Sequence, residues 1–220
     1  MKKTKEIIIT KNNNLKIIQV CIICILLILS CIKPVYPDEI FLQHIATVIM
    51  IGIMIFLIKK NALSGKAFFC IFMMLIVHII GARWNYSFTP YDKWINTVFG
   101  FSIDKYFSFK RNQYDRLVHF MYGFLLLIPI SEIYNKWFNA SKRLATHIAF
   151  LFILASSMVY ELIEWLVAVT LSPEQAEAYN GQQGDMWDAQ KDMAMAMLGA
   201  MVMIVISRYL VKKKVTTLNT

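Results

Sequence analysis

Phe41-Leu42-Gln43-His44-Ile45-Ala46-Thr47-Val48-Ile49-Met50-Ile51-Gly52-Ile53-Met54-Ile55-Phe56-Leu57-Ile58 is a run of eighteen residues with no formal charge, closed by Lys59-Lys60. As a helix it would be about 27 Å long at ~1.5 Å per residue, close to the ~30 Å hydrocarbon core of a bilayer. Working outward, five further runs of the same kind follow the chain: 15–32, 66–82, 114–134, 143–170 and 188–210. None alternates with a period of two, so helices are the expected spanning structure, because only they satisfy every backbone group within one segment. Pro129 falls inside the fourth run, where a bundle tolerates it without ending the helix. The expected fold is an all-α polytopic membrane bundle of about six transmembrane helices.

Composition agrees. Of 220 residues, 58% are apolar and 17% charged, against roughly 45–50% and 25% in soluble domains. This excludes a soluble globular enzyme, a disordered tail and a coiled coil. The net charge of +9 is explained by where it sits. With the N-terminus inside, 15 of the 23 Lys and Arg fall on the inner side, as the positive-inside rule expects. The predicted organisation is N-in and C-in. Residues 1–14 form a basic cytoplasmic segment, 15–210 the six-helix transmembrane domain with an aromatic outer loop at 83–113, and 211–220 a cytoplasmic tail. The expected partner is the lipid bilayer, and nucleic acid is not. Ile28-Leu29-Ser30-Cys31 loosely resembles a lipoprotein cleavage box. Because five spans follow it, an uncleaved first helix is expected. Oligomeric state is not legible.

The acidic residues are the informative set. Of 14, only Glu6 and Glu132 fall on the inner side. Asp115, Glu161, Glu164, Asp188 and Asp192 lie in or at the edge of spans, where an ionisable group costs about 2.5–3.5 kcal/mol and usually marks a site. Asp115 and His119 are four apart and share a helix face, with His119 about 6 Å deeper. Asp115 is placed to accept a ring N–H of His119 and set its tautomer. Glu161 and Glu164 are three apart, about 9–14 Å below Thr170. Two bare carboxylates side by side repel, so either a proton or a positive group must stand between them. Arg116, His119 or a metal ion are the candidates. Asp185, Asp188 and Asp192 form one stripe if the last helix starts near Asp185, with Asp185 as its cap and Gly181 and Gly184 in the preceding turn. Three helices then bring polar groups to one level near one membrane surface.

Other features have simpler readings. Cys21-x-x-Cys24 lies within a span and reads as small apolar packing. Met193, Met195, Met197, Met201 and Met203 hold no single face and read as span filler. His44, His78 and His147 read as packing or interfacial residues, with His78 set apart by its closeness to Arg83. The 31-residue loop 83–113 carries 10 aromatic residues. It predicts a short helix from Pro90 to about Phe99 and an aromatic belt in preference to a lid.

Arg111-Asn112-x-Tyr114-Asp115-Arg116-x-x-His119-Phe120, Tyr160-Glu161-x-x-Glu164-Trp165 and Gly184-Asp185-x-Trp187-Asp188-x-Gln190-x-Asp192-Met193, with Arg83-Trp84-Asn85-Tyr86, resemble the YjdF family of bacterial inner-membrane proteins. The resemblance covers nearly the whole chain beyond the first helix. It implies a small multi-pass protein of the bacterial cytoplasmic membrane and no activity. A more distant likeness, over the last three helices, is to VanZ-like proteins. They share an Asp-x-x-x-His helix, a later Glu-bearing helix, and an acid-rich lead into a final helix with Gly199-Ala200. That likeness suggests cell-envelope business without a substrate.

Three functional classes stay open on the sequence. The first is an envelope protein acting on or binding a lipid or lipid-linked precursor. Its candidate catalytic residues are His119, Glu161 and Glu164, and its candidate substrate contacts Arg83, Tyr86, Arg116 and Trp187. Asp115, Glu161, Glu164, Asp188 and Asp192 are the candidate ligands of a divalent metal. Oxygen-rich ligands suit Mg²⁺, Mn²⁺ or Ca²⁺ better than Zn²⁺. No nucleophile motif is present, so enzymatic activity is undecided. The second is an ion- or proton-coupled transporter, against which no internal repeat is found. The third is a non-catalytic envelope factor.

Overall fold

The computed structural model describes residues 2–37, 39–170 and 182–218, with side chains described from residue 13 onward except at 211 and 213–218. The expectations for Asp38, Glu174, Glu177 and Gly181, and for the side chains of Glu6, Lys2, Lys3, Lys5, Lys11, Lys213 and Lys214, lie outside the described residues.

The described residues form helices joined by turns: α1 Lys2–Ser30, α2 Ile40–Lys59, α3 Gly65–Arg83, α4 Tyr91–Phe99, α5 Ile103–Tyr106, α6 Tyr114–Trp137, α7 Lys142–Ala168 and α8 Asp188–Leu218. Six are long and apolar enough to cross a membrane, over Asn13–Ser30, Ile40–Lys59, Gly65–Arg83, Tyr114–Trp137, Lys142–Ala168 and Asp188–Leu210. Their outward faces leave large apolar side chains such as Ile25, Phe41, Leu151 and Val205 uncovered, as lipid-facing surfaces do. α6 continues through Pro129.

Two three-helix lobes meet along one seam. Ile23, Met54, Leu57, Phe68, Ile71 and Leu75 bury the contacts among α1, α2 and α3. Leu127, Ala149, Ile153, Ala196, Ala200 and Met203 do so among α6, α7 and α8. Met74, Tyr86, Tyr114, Val118 and Leu125 form the seam, where α3 packs on α6. α6 packs most extensively against α8. Small residues allow this. A Cβ on Gly199 would come within 2.0 Å of the Phe120 carbonyl oxygen.

The loops define two ends. At the basic end, the turn 60–64 is held by groups from other helices. Lys16, one of the 15 Lys and Arg counted on the inner side, is 1% exposed. Its Nζ donates to the Leu63 carbonyl at 2.8 Å and lies over the Phe68 ring. Glu132 accepts from the Ser64 amide at 2.6 Å and the Ser64 hydroxyl at 2.8 Å. Lys136 donates to the Asn61 carbonyl. Ser64 itself caps α3, accepting from the Ala67 amide.

At the acidic end, the long loop carries α4, which starts after Pro90 as predicted and ends on Gly100 at φ +77°. Burial, then a hydrogen bond with Asp104, pushes the Tyr91 hydroxyl well above the ordinary tyrosine range. Asp92 accepts from the Asp104 amide and the Ser102 hydroxyl, and its carboxyl lies below the usual range. Val98, Phe99, Tyr106 and Phe107 remain exposed.

Candidate functional site

The acids of α6, α7 and α8 do converge at the acidic end, and they sort into two layers. The outer layer is paired. Arg111, in the loop before α6, donates to Asp188 and to the Gln182 carbonyl. Arg116 donates to Asp185 and, at 2.9 Å, to Gln113 Oε1, and reaches Asp188 at 3.5 Å. Lys191 donates to both oxygens of Asp185. The Asn112 amide donates to Gln183 Oε1. These contacts tie the residues before α8 onto the start of α6. Hydrogen bonds from Lys191, the Trp187 amide and Arg116 lower the Asp185 carboxyl to about 2.

This corrects two expectations. α8 begins at Asp188, so Asp185 lies before the helix. Its carboxylate accepts from the Trp187 amide and folds the turn, where the stripe reading made it the cap. Arg116 serves the aspartates on α8's side and does not stand between Glu161 and Glu164.

The inner layer is only partly satisfied. His119 is buried, and its Nε2 lies 3.4 Å from Glu161 Oε1 and 3.8 Å from Asp115 Oδ1. The expected hydrogen bond from the His119 ring N–H to Asp115 is therefore not made. The shared helix face brings the two side chains near, but the ring tip turns toward α7. Asp192 is 2% exposed. Glu161 Oε1 and Asp192 Oδ1 are buried with no hydrogen-bond partner among the described residues. Such orphaned acceptors cost about 1–3 kcal/mol each, and more when charged. One ligand atom each from Asp115, His119 and Asp192 lies within 4.8 Å of the others.

Two cavities reach this layer. One of about 270 Å³ between α7 and α8 is lined by Glu161, Glu164, Asp188 and Asp192. The other, of about 200 Å³, lies among α2, α3, α6 and α7. Its polar end holds Asp115, His119, His78, Tyr86, Tyr122 and Tyr160. Met50, Ile71 and Leu75 wall its apolar part.

The remaining candidates divide. Tyr86 reaches the second cavity. Left-handed backbone at Asn85 and Tyr86, φ 49° and 50°, turns its ring over Gly81, and its hydroxyl bonds His78 Nδ1 at 2.6 Å. Arg83 is not brought to the cluster. It donates to the carbonyls of Leu29, Ser30 and Ile32 and so holds the end of α1. Trp187 is 58% exposed. His44 is a structural residue between Ser30 and Thr47.

As site residues, sequence reasoning missed Arg111, Tyr122 and Tyr160; it set His78 apart, but for its closeness to Arg83 and not for the Tyr86 hydroxyl that it meets. Arg111 had one signal: it stands four residues before Asp115, on the same side of α6 extended by one turn. The two tyrosines look like ordinary span aromatics until the cavity places them.

The chain matches a family model described as "predicted membrane protein (DUF2238)" over residues 15–213. The chain belongs to this family. It is similar to the "inner membrane protein YjdF" of Escherichia coli (strain K12), with 28% identity over 159 residues, 72% of each chain. No solved structure matches it. Family membership and the six apolar helices make it a multi-pass inner-membrane protein. The two layers of the site belong to the part of the chain that the family model covers.

Proposed function

We propose that the inner layer of the site binds a divalent cation and, through it, the anionic headgroup of an envelope lipid or lipid-linked precursor. In this reading both termini are cytoplasmic and the acidic end faces outward. The observation that carries it is the pair of orphaned buried oxygens, Glu161 Oε1 and Asp192 Oδ1, beside the Asp115–His119–Asp192 group. A cation held by the Asp115–His119–Asp192 group would reach Asp192, with Glu161 beside it, 3.4 Å from His119. Two carboxylates beside one imidazole, with further carboxylates lining the neighbouring cavity, make an oxygen-rich donor set that suits Mg²⁺, Mn²⁺ or Ca²⁺ better than Zn²⁺.

The outer layer bears on what else binds. The guanidinium Nη groups of Arg111 and Arg116 already hold carboxylates and carbonyls. A phosphate or carboxylate arriving from outside therefore meets Asp115, Glu161, Glu164 and Asp192, and is repelled unless a cation stands between. The 200 Å³ cavity offers a matching surroundings: polar beside Asp115 and His119, apolar toward Met50 and Leu75. A lipid headgroup with the start of its chain has that polarity. Glu161 and His119 would orient the bound group. Transport is disfavoured because Asp115, Glu161, Glu164, Asp188 and Asp192 stay at one end, with no chain of acids leading to the other.

The test is metal analysis of detergent-purified protein after incubation with Ca²⁺, Mg²⁺ and Mn²⁺. One ion per chain in the wild type, absent from folded Asp192→Asn, is the expected result. A folded wild type that retains none of the three overturns the reading.

A further inference from the structure

At the basic end, a cleft of about 1000 Å³ opens between α6, α7 and α8. It is lined by Lys142, Arg143, His147, Arg208 and Lys212, against one carboxylate, Glu132. That carboxylate already accepts two hydrogen bonds from Ser64. No carboxylate lies within salt-bridge distance of Lys142, Arg143 or Arg208 among the described residues. Positive charge flanking spans is ordinary topology. What is not ordinary is its gathering around one concavity fed by three helices.

The lining changes character with depth. Deeper in, Leu127, Phe150, Met201 and Ile204 form an apolar floor, with the hydroxyls of Ser131 and Thr146 between floor and cations. Phe150 lies eight residues beyond Lys142, about 12 Å along α7, and Met201 seven residues before Arg208, about 10 Å along α8. The cleft thus passes from cations, through hydroxyls, to hydrocarbon over roughly the thickness of a headgroup and glycerol region. Its volume lies at the upper end of the ~300–1,000 Å³ typical of ligand sites.

We propose that this cleft is a binding site for an anionic diacyl phospholipid. Its phosphate lies among Lys142, Arg143 and Arg208, and its acyl chains run over Phe150 and Met201. Basic pockets between transmembrane helices favour such headgroups because membrane surroundings leave cations weakly screened and hydrocarbon solvates the chains. A zwitterionic lipid brings its own ammonium against these cations and loses that advantage. The site lies at the opposite end of the bundle from the cation site and stands independently of it.

The experiment uses the full chain, delipidated in detergent with EDTA present, and reads its thermal midpoint. The probes are phosphatidylglycerol, phosphatidylcholine and inorganic phosphate at equal concentration. Phosphatidylglycerol is expected to raise the midpoint, and the other two to leave it within error. Arg143→Gln/Arg208→Gln should weaken phosphatidylglycerol binding by roughly tenfold or more, and Arg143→Lys/Arg208→Lys should keep most of it. Should the first variant not accumulate, Lys142→Gln/Arg143→Gln, with both changes in the exposed first turn of α7, carries the same comparison. Equal shifts with phosphatidylcholine, the full shift with phosphate alone, or a full shift in the glutamine variants would each overturn the proposal.

Discussion

Gly123 on α6 lies so near α8 that a Cβ built on it would come within 1.9 Å of the Ala196 carbonyl oxygen. The contact is backbone on backbone, so no side-chain rotation can relieve it. It also sets the distance between the helix that carries Asp115 and His119 and the one that carries Asp188 and Asp192.

Gly123→Ala is therefore expected to cost about 2–3 kcal/mol as an overpacked helix contact and lower the thermal midpoint by roughly 5–10 °C. Gly52→Ala, whose Cβ meets nothing within 4 Å, should leave it nearly unchanged. Thermal unfolding of the two variants side by side checks this.

The Arg111–Asp188 pair is buried, with side chains 8% and 5% exposed. Removing one partner leaves the other with only its longer contacts, Arg116 at 3.5 Å for Asp188 and Asp185 at 3.9 Å for Arg111, so the cost falls below the roughly 3–5 kcal/mol of a fully isolated buried charge. Arg111→Gln and Asp188→Asn should each accumulate poorly, and the double variant should recover in part. A double-mutant cycle on folded yield and midpoint measures the coupling. Strict additivity would show that the pair does not act as a unit.

Asp192→Asn gives a signed result on the cation reading. Neutralising a buried, unpartnered carboxylate should raise the cation-free midpoint, because about 1–3 kcal/mol of desolvation penalty is relieved. The same change should abolish any rise on adding Ca²⁺. Wild type and variant are compared in EDTA and in millimolar Ca²⁺. A wild type whose midpoint ignores every added divalent cation would contradict the proposal.

Asp185 sets an acid limit. Its carboxyl is lowered to about 2 by Lys191 first, then the Trp187 amide and Arg116. The depressed value means that its stabilisation is complete above the unfolded carboxylate range, about 3.9. It is lost as pH falls from about 4 through about 2. Wild type should lose more stability across that window than Asp185→Asn. Midpoints recorded between pH 2 and 5 test the sign.

Legibility followed range. The bilayer imposes a length and a polarity on every crossing segment, so runs such as 41–58 could hardly be anything but helices, and α2 spans Ile40–Lys59. Helical spacing placed Asp115 with His119 and Glu161 with Glu164, and the fold brings those faces together. The partners of distant loop residues were hidden. Arg111 and Asp188 are 77 residues apart, and the Asn112–Gln183 contact spans 71. No local pattern encodes such a pairing. Arg83 misled for the opposite reason. Its position at the end of α3 suggested an anion partner, while the carbonyls at the end of α1 claimed it. Asp185 looked like a cap because its spacing is helical, but its ion pairs begin one turn early.

The basic-end turn has a consequence in time. The Ser64 amide and hydroxyl are satisfied by Glu132, 68 residues further along. A ribosome adding about 5–20 residues per second takes roughly 3–14 s to make that stretch. For that interval α2 and α3 form a hairpin whose turn has its own local hydrogen bonds and, among the described residues outside the hairpin, Lys16 of α1. The first lobe is thus assembled provisionally, and α6 locks it as the second lobe arrives.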